Sequence, residues 1–192
     1  LYKMPRELKM DVKLSYSLDG QIIHEETFKK DDEVLVSYVW EDLANRVYYC
    51  NEWHKTNTSQ PSYVSPIRKF TITEDTTLFG FKSNAIKYLT TSSDTYSFVN
   101  DINYVYSDHI VVIPKKYLDK DICISNFVFK NETIYELYLP TSLKRIYSGN
   151  FANCGLRKIH FAGTKEQWDA IESSSTIPAG VEIVYNSSYP MQ

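Results

Sequence analysis

Residues 129–168 read FKNETIYELYLPTSLKRIYSGNFANCGLRKIHFAGTKEQW, and this stretch contains an internal repeat. Shifting the sequence by 22 residues, from 129 to 151, matches five positions, four of them apolar. A fixed period of this size indicates a solenoid, in which each repeat buries its apolar face only against its neighbours. The matched pairs are Phe129 and Phe151, Asn131 and Asn153, Ile134 and Leu156, Leu137 and Ile159, and Leu139 and Phe161.

An earlier copy of the repeat precedes this stretch. Residues 110–114 and 135–140 are both apolar segments that end on proline, at an offset of 26 residues from 114 to 140. Because proline cannot donate to a strand ladder, it ends the strand and turns the chain around a corner of the solenoid. The longer offset predicts an insertion within residues 115–124. Residues 181–185 are predicted to form the last strand.

Residues 137–154 resemble the BspA-like leucine-rich repeat. They contain an apolar-x-apolar-Pro strand at Leu137–Pro140 and a Phe-x-x-Cys step at Phe151–Cys154. The resemblance spans about residues 110–185 and implies a leucine-rich-repeat solenoid, with Cys154 at a small, buried and inert position. Members of the family usually carry long arrays. The few repeats here therefore predict a compact tip or docking unit instead of a broad concave surface.

Residues 159–171 are similar to the segment that commonly closes such arrays: an apolar strand, then Gly-Thr, then an acidic-Gln-Trp helix. Thr164 can cap the N-terminus of this helix, with Gln167 at the third helical position, as in a capping box. Trp168 is then expected to lie over the open end of the core, because a solenoid end needs such a cover.

The N-terminal part is predicted to consist of short antiparallel strands. Apolar and polar residues alternate from Leu8 to Tyr16, Asp19-Gly20 is a turn signal, and Val34–Trp40 is almost continuously apolar. These features predict a β-meander within an antiparallel β-sandwich or small barrel. The fold class is therefore mainly β, with a β-rich domain at residues 1–107 and a short repeat module with a C-terminal cap at 108–192.

Composition argues against several classes of function. The net charge of −3 gives no positive field that would draw the chain to nucleic acid, and we expect no nucleic-acid partner. A run of 18 apolar residues is missing, so no membrane insertion is expected. No signal peptide is visible, although the chain begins with Leu and a leader could have been removed.

Patterns for catalysis or metal binding are missing as well. The three cysteines are widely spaced without a CxxC pair, and the four histidines show no HExxH or HxH spacing. We therefore predict no catalytic residues, no metal and no cofactor. The 16 tyrosines suit strands and contact surfaces. Trp40, Tyr49 and Trp53 are the candidate contact residues.

The sequence thus favours a non-enzymatic structural or binding protein. The first hypothesis is a subunit of a larger assembly such as a bacteriophage virion, as a fibre, head decoration or tail component. Its partners would be other proteins, a second copy of the chain included. The alternative is a bacterial cell-surface or secreted adhesin that binds a host protein or glycan, which the family resemblance implies. A carbohydrate-active accessory module is a third reading, in which Trp40, Tyr49 and Trp53 stack on sugars. The expected location is the virion, the cell surface or the extracellular space.

Overall fold

The computed structural model describes residues 9–18, 20–36, 39–43, 46–50, 52–57, 67, 69–81, 86–102, 105 and 109–188, with the backbone alone at 39–43, 46–50, 52 and 81. The elements are β1 Asp11–Leu18, β2 Gln21–Lys29, β3 Asp32–Leu35, β4 Val39–Leu43, β5 Arg46–Cys50, β6 Glu52–His54, β7 Lys69–Ile72, β8 Thr76–Phe81, β9 Ile86–Leu89, β10 Ser97–Ile102, β11 Ile110–Val112, β12 Ile122–Ile124, β13 Glu136–Leu139, β14 Leu143–Ile146, β15 Lys158–Phe161, α1 Lys165–Asp169, β16 Glu172–Ser173 and β17 Glu182–Val184.

The protein is mainly β, with almost no helix, and its chain forms two compact units. The first unit comprises Leu1–Ser37 and Glu52–Lys82, and the second comprises Tyr38–Asn51 and Ser83–Gln192. The second unit contains a β-solenoid of about three turns. The domain boundary predicted at 107/108 falls inside this unit, where β10 pairs in parallel with β12 of the solenoid.

The first unit is built around β1. This strand pairs with β2 in an antiparallel hairpin whose turn contains Gly20 at a φ of 79°. On its other edge β1 pairs in parallel with β8, and β8 pairs with β6. The predicted meander is wrong, because β3 pairs with β7 in a separate two-stranded sheet. The predicted strand Val34–Trp40 is also divided, since β3 ends at Leu35 and β4 starts at Val39.

Aromatic side chains fill the core of this unit. Tyr16 and Trp53 are both buried, and their rings meet edge to face at a centroid distance of 5.1 Å. Burial, helped by the nearby Glu26 carboxylate, raises the pKa of the Tyr16 phenol. Ser15 and Ser17, which alternate with Tyr16 along β1, are buried as well. Both faces of β1 are therefore covered.

The solenoid has two parallel sheets with short strands. One has the order β16-β14-β12-β10-β9, where β9 is an antiparallel edge strand, and the other has the order β11-β13-β15-β17. The register of Leu137 with Ile159 confirms the 22-residue offset, and that of Ile110 with Glu136 confirms the 26-residue offset. A Tyr117–Lys120 bridge lies within the predicted insertion.

The repeat positions form the core of the solenoid. Phe129 and Phe151 stack with ring centroids 6.0 Å apart, as the repeat implies. Cys154 is buried beside them in the same repeat, and burial raises the pKa of its thiol. Asn131 and Asn153 share a positive φ, and their side-chain amides meet at 3.4 Å.

Asn150 ties three successive turns of the solenoid together. It is 0% exposed, and its side-chain oxygen accepts from the Val128 amide at 2.9 Å. Its side-chain nitrogen donates to the carbonyls of Ser125 and Tyr147 at 2.8 and 2.7 Å. Its own backbone amide donates to the Ser175 hydroxyl at 2.8 Å. One asparagine thus satisfies backbone groups that the corners of the solenoid leave unpaired.

Helix α1 follows the last buried strand of the core. The predicted capping box is confirmed, because the Thr164 hydroxyl accepts from the Gln167 amide and the Gln167 side chain accepts from the Thr164 amide. Trp168 meets the buried ring of Phe161 edge to face, with centroids 5.4 Å apart.

Gly149 provides a test of how neighbouring turns fit together. It has a φ of 74°, and a Cβ added there would overlap the ring of Phe127 from the preceding turn. We expect Gly149→Ala to destabilise the protein by about 1–3 kcal/mol, because alanine is strained at positive φ and the ring must move. The free energy of unfolding in urea measures the change.

Gly180→Ala is the matched control for this substitution. Gly180 has a φ of 86° in the same unit but open space around the added Cβ. Alanine at position 180 is strained at positive φ but overlaps no neighbouring atom. Gly180→Ala should therefore lower the free energy of unfolding by about 1 kcal/mol less than Gly149→Ala does. Equal losses for the two variants would contradict the proposed contact between Gly149 and Phe127.

Candidate functional site

The outer face of the sheet β11-β13-β15-β17 carries rows of stacked side chains. Since the strands are parallel and in register, equivalent residues lie one above the other. Leu137 and Ile159 are buried and face the core, so the residues on either side of them point outward. The two outward rows are Ile110, Glu136, Lys158 and Glu182, and Val112, Tyr138, His160 and Val184.

His160 is the centre of a hydrogen-bonded chain on this face. Its Nε2 lies 2.9 Å from Oε2 of Glu136, and its Nδ1 lies 3.2 Å from Oγ of Ser187. A carboxylate can only accept, so Glu136 places the proton of a neutral imidazole on Nε2. Nδ1 then accepts, and the Ser187 hydroxyl donates to it. The three side chains form the order carboxylate, imidazole and hydroxyl.

The imidazole ring and the serine are both held in place. Tyr138 stacks on His160 with ring centroids 4.1 Å apart and an interplanar angle of 3°. The Ser187 amide donates to the Phe161 carbonyl at 3.0 Å, and the Asn186 amide donates to the Gly163 carbonyl at 2.8 Å. The segment after β17 is thereby fixed beside β15.

Access to the face changes along the rows. Val112 and Tyr138 are buried although they point outward, whereas Ser187 is half-buried and Glu182 is exposed. The His160 side chain keeps 15% of its surface exposed. Tyr138 and Ser187 flank the outward-pointing ring of His160 and cover most of it. The histidine and the serine lie where the covered part of the face gives way to the open part.

Charges alternate in the neighbouring row. Lys158 lies in register between Glu136 and Glu182, and its Nζ is 2.9 Å from the Glu182 carboxylate. The hydrogen bond that the Lys158 ammonium donates to Glu182, together with the charges of Glu182 and Glu136, raises the pKa of Lys158. The open part of the face thus combines a fixed positive charge with the histidine and serine.

A second column of side chains lies immediately before β11, β13 and β15 of this sheet. The His109 and Tyr135 rings have centroids 4.5 Å apart, and the Arg157 guanidinium lies 4.0 Å from the centre of the Tyr135 ring. Cation–π contacts of this kind stabilise by about 0.5–1 kcal/mol when exposed. They also fix long side chains that would otherwise be mobile, so the column is a rigid polar edge.

The sequence-predicted repeat residues all lie in the solenoid core. They are buried, and Trp168 packs on the last of them. The buried repeat residues are Phe129, Ile134, Leu137, Leu139, Phe151, Leu156, Ile159 and Phe161.

Among the three predicted contact residues, the structure describes the side chain of Trp53 alone. Trp53 is only 1% exposed and packs on Tyr16, so its ring offers no face to a ligand. The backbones of Trp40 and Tyr49 pair across β4 and β5, but their side chains lie outside the described part of the structure.

Sequence reasoning missed Glu136 and Ser187. Glu136 occupies the strand position of Lys158, 22 residues earlier, and Tyr138 occupies that of His160. The offset alone therefore places Glu136 on the strand next to His160, two residues before the register partner of the histidine. Ser187 follows the last strand, outside the repeat. No sequence signal connects it to the histidine.

The expectation of no metal and no cofactor stays a prediction. Within the described ranges, no group of three or more His, Cys, Asp and Glu side chains is arranged to hold a metal ion. None of the helices in that part of the chain has the length and apolar character needed to cross a membrane.

Comparison of the chain with protein-family models, with curated proteins and with solved structures finds no match.

Proposed function

We propose that the protein is a structural or binding subunit of a larger assembly, such as the fibre, head decoration or tail of a bacteriophage virion. In this proposal the solenoid faces outward on the particle, and its exposed edge contacts a neighbouring protein subunit. Its location is then the virion or another extracellular surface, and its partners are proteins. The role depends on contact rather than on turnover.

An exposed apolar edge on the solenoid supports this proposal most directly. We call it the β9 edge and define it as Tyr88, Leu89, Tyr117 and Leu118. Leu89 and Leu118 are exposed, and the rings of Tyr88 and Tyr117 stack at a centroid distance of 3.9 Å. Strand β9 is also the last strand of its sheet. Rigid aromatic residues beside exposed leucines on a strand edge are typical of protein contact surfaces.

The solenoid provides the rigidity that such a role needs. Parallel in-register rows, the Asn150 ties and the stacked Phe129 and Phe151 hold each turn against the next. We also propose that the turns are a short BspA-like leucine-rich repeat and that α1 is its helical cap. The contact of Trp168 with Phe161 supports the cap. The burial of both faces of β1 supports a sandwich or small barrel in the first unit.

Sedimentation of purified particles tests the function. We expect the chain to cosediment with particles from its source and to be found in them by mass spectrometry. Absence of the chain from such particles would refute the proposal. Recovery in the cell envelope, behind a signal peptide encoded upstream, would favour the adhesin instead.

The β9 edge can be tested on the same particles. The double variant Leu89→Ser/Leu118→Asn should weaken incorporation by about tenfold or more if the edge carries the contact. Met10→Ser/Ile22→Ser is the matched control, because these side chains are exposed apolar residues of the first unit and do not belong to the β9 edge. Equal incorporation of the Leu89/Leu118 variant and the unmodified chain would exclude the edge.

A further inference from the structure

We propose that Ser187 is a nucleophile that accepts an acyl group from an ester, with His160 as its general base and Glu136 as the residue that positions the base. The inference is independent of the proposed assembly role. It rests on the hydrogen-bonded order of the three side chains and on their place at the open part of the sheet face.

The distances fit the three roles. A serine activated by a base needs its oxygen within about 2.6–3.2 Å of the accepting nitrogen, with a third group orienting the base. Oγ of Ser187 lies 3.2 Å from Nδ1 of His160, and Nε2 of His160 lies 2.9 Å from Glu136. The roles of the two ring nitrogens follow from the carboxylate, which can only accept.

The surroundings favour a defined geometry. Tyr138 stacks flat on the imidazole and lies 3.4 Å from the Glu136 carboxylate through its hydroxyl. The backbone of Ser187 is hydrogen-bonded to the end of β15. A preorganised base and nucleophile lose little freedom when they react, which is a large part of enzymatic rate enhancement.

The chemical step balances within these groups. The Ser187 oxygen forms a bond to the acyl carbon while its proton passes to Nδ1 of His160. The ester bond to the leaving alkoxide then breaks, and the alkoxide takes the proton from His160 and departs as an alcohol. The Glu136 carboxylate stabilises the imidazolium between the two proton transfers. The product is an ester on Ser187, and no oxidation or reduction occurs.

A purely mechanical role for the same contacts makes a different prediction. The chain of hydrogen bonds also joins β13, β15 and the segment after β17, so it could act only as a strut between turns. A strut stabilises the fold but gives Ser187 no more reactivity than an ordinary serine. Covalent labelling separates the two roles.

A fluorophosphonate probe reacts with activated serines and serves as the reagent on the full chain. We expect one phosphonyl group per chain, located by peptide mass spectrometry on Ser187. Ser187→Ala should remove the label. Ser188→Ala should keep it, because Ser188 is the exposed neighbour of the same chemical type. Circular dichroism on each variant establishes that the fold is kept.

The role of Glu136 has its own measurement. Glu136→Gln keeps the size of the side chain but replaces the carboxylate by an amide, which can donate to Nε2 and move the imidazole proton to Nδ1. The labelling rate should fall by about a hundredfold or more, as should that of His160→Gln. The imidazole nitrogen shifts in NMR should report the changed tautomer.

Three results would overturn the proposal. The first is a labelling rate at Ser187 that is no higher in the folded protein than in the urea-unfolded protein. The second is label that persists in Ser187→Ala at the unmodified rate. The third is a Glu136→Gln variant that has the shifted tautomer and still reacts at the original rate.

Discussion

Replacing Asn150 with aspartate should destabilise the protein by about 3–5 kcal/mol at neutral pH, and by markedly less near pH 4. The side chain is 0% exposed and donates to two carbonyls, those of Ser125 and Tyr147. A carboxylate in its place keeps the bond from the Val128 amide but faces both carbonyls without a donor. Burial of that charge among acceptors is the source of the loss.

The pH dependence follows from the sign of the pKa change. Burial and the two carbonyls disfavour the charged form, so the pKa of the introduced carboxyl in the folded protein lies above its ordinary value of about 4. The folded state then binds more protons than the unfolded state, and stability falls as pH rises between the two pKa values. Below the unfolded pKa the group is neutral in both states and can donate one hydrogen bond.

Urea unfolding at several pH values measures this effect as the difference between variant and unmodified protein. Asn150→Ala should lower the free energy of unfolding by about 3 kcal/mol at every pH. It leaves backbone groups unpaired as Asn150→Asp does, but it adds no charge. Asn131→Asp is the matched control, since Asn131 is exposed and its change should stay within about 0.5 kcal/mol. A pH-independent loss in Asn150→Asp would contradict the buried environment of the side chain.

Phe161→Ala should lower the free energy of unfolding by about 3–5 kcal/mol. The ring is 0% exposed at the end of β15 and is the aromatic partner of Trp168. Its removal leaves a cavity and frees the indole of α1, so the helix should lose its packing on the core. Urea unfolding gives the loss, and amide hydrogen exchange across residues 164–171 shows whether the helix opens first.

Phe127→Ala is the control for Phe161→Ala. Phe127 is 56% exposed, so the same deletion of a phenyl ring removes little buried surface and should cost about 1 kcal/mol or less. Phe161→Leu should recover most of the loss, because the cavity is then largely filled. If Phe161→Ala and Phe127→Ala lowered the free energy of unfolding by similar amounts, Phe161 would not be a core residue that supports α1.

The repeat register was predictable because a solenoid contacts only its neighbours. The match of Leu137 with Ile159 in the sequence is the pairing of β13 with β15 in the structure. The last strand also lies at the predicted place, as β17 beside β15. The capping box of Thr164 and Gln167 depends on local spacing alone and was equally visible.

The first unit was less predictable because its contacts are distant in sequence. Strand β1 pairs with β8, about sixty residues later, and Leu14 faces Thr76 there. Alternation shows that a strand has two faces but does not name its partner. Trp53 illustrates the same problem, because an aromatic residue in a strand suits a surface or a core equally until its neighbour Tyr16 is known.

The outward position of His160 was predictable from the sequence, but its hydrogen-bond partners were not. Alternation along β15 places His160 outward, opposite to Ile159 and Phe161. Its hydrogen-bond partners come from other strands and from the segment after β17, so no local pattern contains them.

The two buried thiols of the solenoid give a direct record of how its turns open. Cys123 lies in β12, whereas Cys154 lies one turn later, and both are unoxidised and shielded from solvent. A thiol reagent reaches each sulfur only after its own turn has opened, so the two alkylation rates measure two local opening equilibria. Opening from the C-terminal end exposes Cys154 first, whereas equal rates indicate that the turns open together. The alkylation rates of Cys123 and Cys154 therefore report whether the turns of the solenoid open one after another or together.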